Sequence, residues 1–82
     1  MNQIIQPKIK GTFSGDSNTT YTCPCVCNMF SIINLGLSDI SFTIGDITIV
    51  IPTNMGFEDS FEDFESVTVT ATTAFSAIVK GW

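Results

Sequence analysis

Three cysteines fall at every second position in the stretch YTCPCVCNMF, Tyr21 to Phe30, and they are the only cysteines in the chain. On a regular strand Cys23, Cys25 and Cys27 project from one face, about 7 Å apart by the strand rise. Three chemistries fit such a row. The first is a thiolate metal site for zinc or iron. Structural zinc takes four ligands, usually in two pairs spaced by two to four residues. One chain offers three sulfurs and no histidine, so a metal at Cys23, Cys25 and Cys27 needs sulfurs from several chains around an axis. The second is a disulfide between two of the three, which needs a strained local bend that Pro24 could supply. The third is packing, with each thiol acting as a small hydrophobe.

The rest of the composition removes much other chemistry. There is no histidine and no arginine. The commonest general base and the usual partner of a serine or cysteine nucleophile are therefore missing, and no catalytic constellation emerges. The formal charge is −5, with Lys8, Lys10 and Lys80 as the only cationic side chains. No basic cluster exists to neutralise a row of phosphates, so nucleic acid is not an expected partner. No apolar run reaches the roughly 20 residues that span a bilayer as a helix, and a membrane partner is not expected. The start, MNQIIQPKIKG, lacks the charged and apolar regions of a signal peptide, which predicts synthesis in a cytoplasm where thiols stay reduced.

Eighty-two residues allow one domain, and 44% hydrophobic against 13% charged residues predicts that it folds. So few charges over so much surface favour a homo-oligomer or an assembly component.

The elements that must position the cysteines read as β. Thr, Ile, Val and Phe alternate between Gly, Pro, Asn and Asp, giving an expected all-β fold, a small antiparallel sandwich or barrel of five to seven strands. A first strand over Ile4 to Phe13 is interrupted by Pro7, and Met1 to Lys10 is expected as an extended arm that could add a strand to a neighbour. Gly11 to Thr20 reads as a loop. A second strand runs from Tyr21 to Ile33 with apolar residues on both faces, and Asn34-Leu-Gly36 turns the chain. In ISFTIGDITIVIP, Gly45-Asp46 forms a type II′ turn that sets Ile44 against Ile47, Phe42 against Ile49 and Ile40 against Ile51, all on one face.

Phe57, Phe61 and Phe64 are spaced four and three apart, which predicts a short helical turn over residues 57–65. Its acids, Glu58, Asp59, Glu62, Asp63 and Glu65, could ligate calcium, although they do not follow the helix-loop-helix calcium pattern; a solvated face is the plainer reading. Asp39 and Asp46 are turn residues. A final hairpin with a turn at Thr72 to Ala74 would pair Ala71 with Phe75, Val69 with Ala77 and Val67 with Val79. Thr68, Thr70, Thr72 and Thr73 could present hydroxyls to a sugar, with Tyr21 and Trp82 as stacking platforms, or simply fill a solvent face. Trp82 would be costly to leave in water.

The run FSIINLGLSDISFTIGDITIVIP, then FEDSFEDFESVTVTATTAFSAIVKG, resembles small β modules of tailed-phage virions: capsid decoration proteins and head-fibre or tail-attachment pieces. The resemblance spans about Phe30 to Gly81 and lies in the rhythms I-x-N-x-G, F-x-I-G-x-x-I-x-I-P and F-x-S-V-T-V-x-A. It implies a non-enzymatic structural protein located in the virion, bound to a capsid or tail lattice, in symmetric oligomers that are often trimers. The cysteine triplet is outside it, and no site residue is carried over.

Overall fold

The computed structural model describes residues 6–82. The fold is all-β: six antiparallel strands in a single sheet, with no helix among the described residues. The strands are β1 (Lys8–Gly15), β2 (Thr19–Asn34), β3 (Ile40–Ile44), β4 (Ile47–Ile51), β5 (Gly56–Thr70) and β6 (Phe75–Gly81), in the order β1-β6-β2-β5-β3-β4. Among the described residues β1 and β4 are the edges of the sheet, which does not close.

β1 begins directly after Pro7, where the missing N–H costs no ladder bond. Two expectations change here. Lys8 to Lys10 are not a free arm, because Lys8 faces Gly81 and Ile9 faces Lys80 within the same chain. Met1 to Ile5 lie outside the described residues. Gly11 to Gly15 are strand rather than loop, since Thr12 and Phe13 pair with Ile78 and Ala77.

The β3–β4 hairpin has the register that its turn chemistry dictates: Ile40↔Ile51, Phe42↔Ile49 and Ile44↔Ile47. Gly45 has φ 58° and Asp46 is not in the left-handed region, as a type II′ turn requires.

No helical turn exists over residues 57–65; the segment is the first half of β5. A spacing of four suits a strand as well as a helix, because Phe57 and Phe61 then share a face. The spacing of three to Phe64 is absorbed by a register shift: Cys27 faces Phe64 while Met29 already faces Ser60. Extra residues on β5 form a bulge there, and the bulge turns Phe64 inward. Pairing with β2 satisfies the backbone that a lone short helix would leave marginal.

The final hairpin is also corrected. β5 and β6 do not pair, because β2 lies between them, with Phe30↔Val79 and Ile32↔Ala77 on one side and Phe30↔Asp59 and Ile32↔Phe57 on the other. The Thr72–Ala74 connection therefore crosses from one part of the sheet to another.

This crossing reflects strong curling. Phe30 and Phe42 pair with residues at opposite ends of β5, Asp59 and Val69, yet their rings approach to 4.7 Å. The core enclosed by the curl is an aromatic series: Tyr21 stacks on Phe13 at 4.4 Å, and Phe13, Phe30, Phe42, Phe61 and Phe64 follow in turn. Ile40, Val67, Val69, Phe75 and Val79 fill the space around them.

Candidate functional site

β2 carries the cysteines through an irregular stretch. Thr22 faces Ser66, but the next partners are Cys27 and Phe64, so β2 spends extra residues between Thr22 and Cys27. Pro24 cannot donate to the ladder, and the strand bulges around it. The bulge breaks the row. Cys23 and Cys27 are buried, while Cys25 points out. All three are free thiols. The inward face then changes parity: Tyr21, Cys23 and Cys27 face the core in the first half of β2, and Phe30, Ile32 and Asn34 in the second. Apolar residues on both faces of the sequence thus serve one core. Asn28, at the change, keeps a buried Oδ1 without a hydrogen-bond partner.

Among the described residues no group of three or more His, Cys, Asp or Glu is arranged to hold a metal ion. The interior thiols are held protonated. Burial raises Cys23, and burial followed by the nearby Cys23 pushes Cys27 up to about 12. Cys27 Sγ donates to the Cys25 carbonyl at 3.5 Å. Thiolate, the reactive form, is therefore suppressed at both buried positions.

Two outcomes follow. Brief alkylation of native protein at mild alkaline pH adds one label, at Cys25, and unfolded protein takes up all three; equal labelling of Cys27 in the native state, read by mass spectrometry, would contradict this burial. The second outcome is a pH dependence. An unfolded Cys27 ionises from its ordinary 9.0, whereas the folded one holds its proton to about 12. The folded state binds more protons in that window, so its stability is intact below pH 9 and falls as pH rises towards 12, by about 1.4 kcal/mol per pH unit. Urea melts along this window should show the slope in the native sequence and a shallower one in Cys27→Ala.

Three of the β5 acids, Glu62, Asp63 and Glu65, together with Asp46 rim a cleft of ≈ 660 Å³ bounded by Ile44, Ile47 and Phe61; Glu58 and Asp59 lie outside it, and Glu58 pairs with Lys80. These carboxylates are exposed or at the rim, as a solvated face requires. The threonines divide. Thr20, Thr68, Thr43 and Thr48 form a straight row across β2, β5, β3 and β4, with side-chain bonds Thr20–Thr68 at 3.4 Å and Thr43–Thr48 at 2.8 Å. Thr72 and Thr73 are not on this row. Tyr21 is committed to its stack on Phe13. Trp82 is 66% exposed, against the expectation that it would be covered.

The feature that sequence reading missed lies at one end of the sheet, around Asn34. This side chain is fully buried. Its Nδ2 donates to the carbonyls of Ser38 at 2.7 Å and Ile51 at 3.1 Å, and its Oδ1 accepts from Gly36 N–H at 3.0 Å. Its backbone N–H reaches Met55 O, Leu35 N–H reaches Ala74 O, Leu37 N–H reaches Thr73 Oγ1, and Thr53 Oγ1 donates to Gly36 O. Three loops, residues 35–39, 52–55 and 71–74, are stitched into one unit. Gly36 is required because Thr73 occupies the place of a β-carbon. From this unit Leu35, Met55 and, at 95% exposure, Leu37 project into solvent. An isolated exposed leucine is ordinary, but several on a hydrogen-bonded scaffold make a preorganised apolar tip.

Comparison with protein-family models, with curated proteins and with solved structures returned no match to this chain.

Proposed function

We propose that this chain is a non-enzymatic structural subunit of a phage virion, which binds the capsid or tail lattice as an auxiliary, decoration or fibre-attachment protein. The observation that carries the reading is the apolar tip. Leu35, Leu37 and Met55 are held outward by loops that are bonded to one another, so docking them costs little ordering entropy. The low charge, the β framework and the rhythmic resemblance over Phe30 to Gly81 support the same class. The virion is the corresponding location, other virion proteins are the partners, and copies of the chain associate.

The test is co-sedimentation with tailed-phage particles assembled without this protein. The native chain should pellet with the particles. Leu35→Asp/Leu37→Asp should bind at least tenfold more weakly, with an unchanged circular dichroism spectrum, because two charges must then be desolvated on docking. Failure of the native chain to bind overturns the virion reading, and undiminished binding of the variant removes the tip from it.

A further inference from the structure

The two edges of the sheet are built differently. β1 carries Lys8 and Lys10, and its pairing with β6 slips between Ile9 and Gly11. Charge and a bulge are the usual protections of an edge against another strand. β4, Ile47-Thr-Ile-Val-Ile51, has neither. Its register with β3 is continuous from end to end, and it contains no charged residue and no proline. Ile47 and Val50 are 50% and 59% exposed, on opposite faces of the strand. The free backbone groups of such an edge are satisfied best by a β-strand, so the chemistry of the occupant is set by the edge itself.

The geometry points to a second copy of this chain as that occupant, with β4 pairing antiparallel to β4 about a two-fold axis at Ile49. A two-residue turn makes Ile44 and Ile47 a mutually hydrogen-bonded pair, and the pattern alternates along the ladder. Ile47, Ile49 and Ile51 therefore spend their N–H and C=O groups on β3. Thr48 and Val50 aim theirs at the open side. Centring the pairing on Ile49 places Thr48 opposite Val50 of the second copy, and each such pair exchanges bonds in both directions. On the core side Ile47 meets Ile51 of the second copy, and Ile49 meets its own equivalent. The half-exposed Ile47 gains cover, and no charged residue faces another.

Neighbouring registers are worse. Centring on Thr48 sets Asp46 against Val50 and desolvates a carboxylate. Centring on Val50 sets Thr48 against Pro52, which has no N–H to give. In the favoured register Asp46 meets Pro52, and the pairing stops at the natural ends of the strand. The two curled sheets then become one continuous sheet whose core sides lie on the same side. A self-complementary patch of this kind closes as a dimer and does not propagate. The inference extends the claim that copies associate and does not depend on binding to a virion.

The experiment is sedimentation equilibrium of the full chain over a concentration series, with a charge-swap pair as the control. The native chain should converge on twice its 8.9 kDa. Thr48→Lys/Val50→Lys sets lysine against lysine across the axis and should be monomeric, as should Thr48→Glu/Val50→Glu. Both substituted positions are exposed, and each variant should keep the native circular dichroism spectrum. Mixing the two variants should restore a dimer, because lysine then faces glutamate. A native monomer at every concentration overturns the inference. So does an oligomer that both variants retain, or a mixture that stays monomeric. Particle binding by a monomeric native chain would leave the virion reading standing while this one fell.

Discussion

Asn34→Ala is expected to lower the unfolding free energy by roughly 3 kcal/mol or more, taking about 1 kcal/mol for each of the interactions it deletes. The residue is fully buried, so water does not replace what is lost. Removing the amide takes one partner from the carbonyls of Ser38 and Ile51 and leaves the buried N–H of Gly36 with no acceptor. An unsatisfied buried group costs its full desolvation, which is why truncation should exceed the net worth of the bonds. Asn34→Asp distinguishes geometry from chemistry. It keeps an acceptor for Gly36 N–H but sets a carboxylate beside two carbonyls, so it should destabilise at least as much at neutral pH. Urea melts at constant m-value measure both, and hydrogen exchange should show faster opening of residues 35–39. A loss of less than about 1 kcal/mol in Asn34→Ala would mean that the loops hold without this side chain.

How much of this was legible in the sequence depends on the range of the interaction. The β3–β4 hairpin was legible in full, because Gly45-Asp46 fixes the turn and the turn fixes every pair up to Ile40 and Ile51. The all-β class was legible for the same local reason. The path of β6 was not. Val67, Val69, Phe75, Ala77 and Val79 announce buried faces, but nothing local says that β2 will lie between β5 and β6. The Phe57–Phe61–Phe64 spacing fits a helix and a bulged strand equally; the partner strand decides, and it lies far away in sequence. In the cysteine segment the regular alternation misled. Pro24 was the available signal that the ladder would break there, placing Cys25 outside and its neighbours within. Asn34 was legible only as a turn residue. Its burial arises from three loops that meet only in the folded chain.

Phe42→Ala is expected to cost about 3–5 kcal/mol, the range for truncating a fully buried phenylalanine. For a chain of this size that is a large share of a total stability of roughly 5–15 kcal/mol, and the variant should be substantially unfolded at modest urea. The size of the effect follows from where the ring sits. Through its backbone Phe42 belongs to β3, paired with Ile49 on β4 and Val69 on β5. Its ring centre lies 4.7 Å from that of Phe30 on β2 and 5.4 and 6.0 Å from those of Phe57 and Phe61, in the part of β5 remote from its own partner Val69. The hydrogen-bonded ladder alone does not hold the curl closed; packing across it does. Phe42→Leu keeps most of the volume and should lose much less. Phe57→Ala should also be milder, because that ring is only partly buried and solvent can take part of its place. If Phe57→Ala proved as damaging as Phe42→Ala in paired urea melts, the curl would be held at the open mouth of the core and not at its centre.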